Sequence, residues 1–231
     1  MPFPIIDSAE SMVAAIRQLG IVPFFGSPIA GFSLHEMTAA GHHIFEMDAT
    51  LEQTPWDWKI ACLEEGDIAY GKFLCGKAAF ATLEWYKELR QWRLAQPKYT
   101  PDPAGEKILE LAAAQGSVSS GDVRRLLSVN KGKADSLLTR LQMGCRLVTG
   151  DIQRVYSGPE LEYKGWQRAS FCTPEALFDT SGIEEMLHLE HNIAHSLETG
   201  HSPKESYKLL CGHIRTIVPD ITDRELSHLL G

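Results

Sequence analysis

The sequence lacks the signals that would place it in a membrane, on a secretory route or within a disulfide framework. No run of about 18 or more apolar residues occurs, so no helix is long enough to span a bilayer. The N-terminal stretch MPFPIIDSAE has no basic segment followed by an apolar core, so no secretory signal is expected. Cysteines are few and odd in number. Cys62, Cys75, Cys145, Cys172 and Cys211 never form C-x-x-C, which argues against a structural zinc site and for a reducing cytoplasm. The phosphate-binding G-x-x-x-x-G-K-[ST] loop, a G-x-G-x-x-G turn after a strand, G-x-S-x-G and H-E-x-x-H are all missing. Nucleotide hydrolysis, serine hydrolysis and zinc proteolysis therefore have no motif to rest on, and no cofactor is expected.

What is present is ordinary for a folded chain: 231 residues, 44% apolar and 23% charged. At about 150 residues per domain, this is one large domain or two small ones. The net charge of −8 is unevenly spread. Residues 1–96 carry 7 Lys/Arg against 12 Asp/Glu, and residues 151–231 carry 7 against 13. Between them, residues 105–150 carry 7 against 4. A uniformly basic nucleic-acid binder is excluded, whereas a local cationic footprint is retained.

Helix starts are well marked. Asp7-x-x-Glu10 opens a helix with Met12, Val13, Ile16 and Leu19 on one face, and Gly20 stops it. Ser33-x-x-Glu36 predicts a short helix, and Thr54-Pro55 another. DIAYGKFL and KAAFAT flank Cys75-Gly76 as a β-hairpin, after which Thr82 caps LEWYKELRQWR. Three prolines in QPKYTPDPAG mark the clearest domain boundary. The expected division is a mixed N-terminal domain (1–96), a second domain (103–179) and a helical C-terminal extension (180–231).

The second domain reads helix, helix, helix, strand, polar loop, strand, which is the order of a winged helix. The fold class is therefore α+β, with three helices and a β-wing at its centre. In the third helix, Ala134, Leu137, Leu138 and Leu141 share an apolar face, opposite Gly132, Ser136, Thr139 and Met143. A recognition helix needs that layout: a packed back, and a front of small polar residues and cations. Lys131, Lys133, Ser136 and Arg140 are expected to meet double-stranded DNA, with Arg124, Arg125 and Arg154 on phosphates. The competing reading is a solvated face on a module that binds another protein.

Two other groupings stand out. Glu184, His188, His191 and His195 line one helix face, opposite Ile183, Met186, Leu187, Ala194 and Leu197; they read as a solvated polar face, and no metal is assigned. Trp56, Trp58, Tyr70, Lys72, Phe73, Lys77 and Trp85 read first as core. Trp56, Trp58, Lys72 and Lys77 are the ones placed to touch a base or phosphate. Beside them, Asp57 or Glu64 is the carboxylate that would activate water if the protein were a glycosylase.

GEKILELAAAQGSVSSGDVRRLL, KADSLLTRLQMGCRLVTGD and WQRASFCTPEALF together resemble the winged-helix portion of the AlkZ-related proteins. The upstream WDWKIACLEEGDIAYGKFLCGKAAFATLEW is similar to the segment that precedes it there. The family resembles bacterial DNA glycosylases that excise alkylated or crosslinked bases, so the resemblance implies a winged-helix fold and a connection with DNA repair. Those glycosylases carry a Gln-x-Gln or Gln-x-Asp run near the N-terminus. Here Gln18 is followed by Leu19-Gly20 and Gln53 by Thr54-Pro55. No catalytic residue is carried over, and base excision is not expected.

Overall fold

A computed structural model describes residues 3–43, 51–178 and 197–231. Helix α1 (Ala9–Leu19) buries Met12, Val13, Ala15, Ile16 and Leu19 and stops at Gly20, which has a φ of 68°. Its cap is Ser8 rather than Asp7, because the Ser8 and Ser11 side chains each satisfy the other's backbone N–H. Asp7 instead accepts from the Ser11 hydroxyl at 3.1 Å. Aspartate and serine cap about equally well, so the serine three positions on decides the register.

Strand β1 (Ile21–Pro23) leads into a turn region in which the Ser33–Glu36 box forms, with the Glu36 N–H 3.2 Å from Ser33 Oγ. It closes only a turn, which corrects the expected helix. The backbone there is taken elsewhere: the Leu34 and His35 N–H groups donate to Pro23 and Phe24, and Ile6 bridges Thr38.

Helix α2 (Pro55–Glu64) starts with proline at its first position, although the Thr54 side chain makes no capping bond. Strands β2 (Ile68–Leu74) and β3 (Lys77–Thr82) turn at Cys75 and Gly76, whose φ angles are 52° and 68°. Two successive left-handed residues match the twist of the flanking strands. The three strands form an antiparallel sheet of order β1-β3-β2, with Tyr70 opposite Phe80 and Ile21 opposite Ala81. Helix α3 (Leu83–Leu94) follows.

A 3-10 turn at Pro97–Tyr99 precedes α4 (Pro103–Gln115), α5 (Ser120–Leu127) and α6 (Lys131–Met143). Their caps Asp102, Ser119 and Asn130 each accept the N–H three residues on, satisfying a donor the helix leaves unpaired. Ile108, Ala112, Val118, Val123, Ala134, Leu137, Leu138, Leu141 and Leu147 pack into one cluster among these helices.

Strands β4 (Val148–Ser157) and β5 (Glu162–Cys172) form a two-stranded antiparallel ribbon. Val118 pairs with Phe171 through two backbone bonds of 2.8 Å, which fastens the ribbon's base to the helices. The stretch expected as a loop is mostly strand. With both faces partly in water, the outer part of the ribbon, beyond the alternating GWQRASF, carries no hydrophobic alternation to announce it.

Short helix α7 (Pro174–Phe178), α8 (Pro203–Ile217) and α9 (Asp223–Leu230) complete the described chain, the last two opened by capping boxes at Ser202 and Thr222. Helix α8 lies on α3, with Trp92 against Tyr207 and Trp85 stacked on His213 at 3.7 Å. A second, larger cluster joins Phe73, Phe80 and Tyr86 to Cys145, Val148 and Cys172 at the base of the ribbon and to Leu210, Ile214 and Leu226. Among the described residues this is a mixed α+β fold with nine α-helices and two small antiparallel sheets. None of those helices is long and apolar enough to cross a membrane. All five cysteines are free thiols. His188, His191 and His195 lie outside the described residues.

Candidate nucleic-acid interface

On α6, Ala134, Leu137, Leu138 and Leu141 are buried, which fixes the helix's rotation. Lys131, Lys133, Ser136 and Arg140 are exposed, whereas Thr139 and Met143 are half-buried against the β2–β3 hairpin. Lys72 donates from Nζ to Thr139 Oγ1 at 3.0 Å. The Lys72 N–H donates to Gln142 Oε1 at 3.0 Å, while Gln142 Nε2 donates to Leu138 O at 3.1 Å. The C-terminal half of the polar face is therefore covered by the hairpin, and the N-terminal half is open.

The cations divide the same way. Arg140 donates to Asp102 at 2.8 Å, Arg125 pairs with Asp122, and Arg154 donates from Nε to Asp57 at 3.0 Å. Exposed Arg124, Lys131 and Lys133 have no ion pair among the described residues. Lys131 and Lys133 sit in the first turn of α6, which holds no acidic residue. The positive end of a helix dipole normally attracts carboxylates there, so two lysines oppose the helix that carries them.

Asp57 is the most tightly held polar group. Its side chain is 2% exposed. Besides Arg154, it accepts from the Tyr163 hydroxyl and from Gln167 Nε2, each at 3.1 Å. All three donors come from the inner face of the ribbon. Trp56 adds an indole N–H bond to Gly165 O at 2.9 Å, so the first turn of α2 is fastened to the ribbon through two adjacent residues. Trp58 is buried and donates to Glu52 O, Lys77 is exposed with Nζ 3.4 Å from Gly26 O, and Glu64 is exposed. Lys59 is buried with its ammonium 3.1 Å above the Trp56 ring and without a hydrogen-bond acceptor among the described residues. Burial lowers its pKa to about 7, against the nearby Asp57 charge, which acts the other way.

Alternation along β5 puts Lys164, Trp166 and Arg168 on the face opposite Tyr163 and Gln167. Trp166 is 73% exposed. The alternation of GWQRASF was legible, but nothing local said which face lay outward.

A family model described as AlkZ related matches residues 6–231. The chain belongs to the AlkZ-related family. No curated protein and no solved structure matches it. In this AlkZ-related chain a pocket of about 170 Å³, partly open to solvent, lies between the hairpin, α6 and the ribbon. It is bounded by Tyr70, Lys72, Ala78, Asp135, Thr149 and Ala169, among others. Asp135 Oδ1 accepts from the Ser120 hydroxyl at 2.6 Å.

Proposed function

We propose that residues 103–179 form a winged-helix unit that binds DNA through the open N-terminal half of α6, with the β4–β5 ribbon as its wing. The observation that carries this reading is the pair of lysines in the first turn of α6. They oppose the helix dipole and lack carboxylate partners among the described residues, an arrangement that becomes favourable once a phosphate lies over the exposed N–H groups. Lys131 and Lys133 then make phosphate contacts, Ser136 reaches into the groove and Arg124 adds a further backbone contact. Arg125, Arg140 and Arg154 act within the fold through Asp122, Asp102 and Asp57. Trp166, flanked by Lys164 and Arg168, is the wing's aromatic contact.

Base excision is left out of the reading. Of the carboxylates beside the tryptophans, Asp57 is occupied by three donors and Glu64 faces solvent.

The test is fluorescence anisotropy with a duplex and a single strand across a salt series, comparing wild type with Lys131→Ala/Lys133→Ala. Binding should weaken with salt, and the double variant should lower the log–log salt slope by about 2. An unchanged slope overturns the placement on α6. Absence of salt-sensitive affinity overturns DNA binding itself and turns attention to a protein partner for the exposed Tyr156, Leu161 and Trp166.

A further inference from the structure

We infer that the outer face of the β4–β5 ribbon is a self-association surface, on which a second copy of this chain docks antiparallel, ribbon against ribbon. The inference stands apart from DNA binding by α6 and is tested without nucleic acid.

The ribbon has one face to spare. Its inner face is occupied: Arg154, Tyr163 and Gln167 hold Asp57, and Gly165 O accepts from Trp56. Those bonds fix the rotation of β5. Glu162, Lys164, Trp166 and Arg168 are exposed, and Tyr163, Gly165 and Gln167 between them are half-buried. A face held in this way loses little ordering entropy when something docks on it. Of the exposed large apolar side chains among the described residues, Tyr156, Leu161 and Trp166 all belong to this ribbon and its turn. One such side chain on a surface is ordinary, whereas a group of them marks a contact.

What covers the face follows from its charges. The chain carries −8, so two copies repel one another in general. Residues 148–172 are neutral, because Asp151, Glu160 and Glu162 balance Arg154, Lys164 and Arg168. The outer face of β5 reads acid, base, indole, base along Glu162, Lys164, Trp166 and Arg168. Turned about a two-fold axis at Gly165, that order is complementary to itself. Glu162 meets Arg168 of the second copy as an ion pair, Lys164 lies over its Trp166 ring, and each contact occurs twice. The neighbouring registers fail. An axis at Lys164 sets the two lysines together, and one at Trp166 sets Lys164 against Arg168. Both cations are available: Arg168 has no ion pair among the described residues, and Lys164 has only Glu162 at 3.3 Å, with both side chains more than half exposed.

The size of the face sets the strength. Residues 162–168, at ~3.4 Å each, make a surface about 24 Å long and two strands wide. Stacking two of them buries less than the ~800 Å² per partner of a stable complex, so Kd should be on the order of 100 μM.

The experiment is sedimentation velocity on the full chain from about 5 to 500 μM, a range that brackets this Kd. The average mass should rise from monomer toward dimer. Trp166→Ser should raise Kd at least about ten-fold, and so should Glu162→Lys and Arg168→Glu singly, since each sets like charges opposite one another. The double exchange Glu162→Lys/Arg168→Glu should restore association by rebuilding the pair with its signs reversed. All three positions are exposed, so circular dichroism should show every variant folded. A chain that stays monomeric throughout, an association unmoved by Trp166→Ser or by the single exchanges, or a double exchange as weak as the single ones overturns the assignment.

Discussion

The pairing of Asp57 with Arg154 makes an unequal prediction for its two halves. Removing the arginine leaves a carboxylate that is 2% exposed with only Tyr163 and Gln167 to hold its charge. Breaking such a pair from this side costs about 3–5 kcal/mol, because the surviving ion stays buried. Removing the aspartate leaves a guanidinium that is 39% exposed and can turn to water. Its loss is discounted toward the surface value, and together with the acceptor lost to Tyr163 and Gln167 comes to about 2–3 kcal/mol. Arg154→Ala should therefore destabilise more than Asp57→Ala, and the double variant should show a coupling of at least about 1 kcal/mol. Urea unfolding followed by tryptophan fluorescence reads all three, since Trp56 sits beside the pair. The reasoning is refuted if Asp57→Ala is the more damaging change, or if the two losses simply add.

Two further changes test the interior. Lys59→Met should stabilise the protein by more than about 2 kcal/mol at neutral pH, since it removes a buried ammonium with no acceptor among the described residues. The sign with pH follows from the lowered pKa: between about 7 and the ordinary lysine range the unfolded chain holds a proton that the folded chain does not. Wild-type stability should gain from Lys59 as pH rises through that window, and urea melts of Lys59→Met should lack this contribution. Arg93 is fully buried and donates to Met143 O at 2.7 Å and to Leu230 O. Arg93→Met should cost at least about 3 kcal/mol by orphaning both carbonyls, with amide exchange in α9 accelerated first.

What the sequence conveyed was local. The apolar stripe Ala134, Leu137, Leu138, Leu141 predicts the buried side of α6, and the Ser202 and Thr222 boxes predict the starts of α8 and α9. Each depends on residues within a few turns of one another. The pairing of charges was hidden for the opposite reason. Arg140 finds Asp102 across 38 positions and Arg154 finds Asp57 across 97, and no spacing rule encodes either. Lys72 was readable as a cation beside aromatics, but its seat on Thr139 depends on how the hairpin docks onto α6. The pocket was hidden too, because its lining comes from the hairpin, α6 and the ribbon, segments far apart in the chain.

The guanidinium of Arg93 also bears on how quickly this molecule assembles. It joins chain positions 50 and 137 residues away, so α3, α6 and α9 meet at one point only after two long loops have closed. The entropy of that closure is lost before the contacts that reward it are made. Until α9 arrives, a cation sits beside an unfinished apolar surface that includes Leu226, Leu229 and Leu230's eventual neighbours. The docking of α9 should therefore coincide with the slow, final phase of refolding, which stopped-flow fluorescence of the full chain would time.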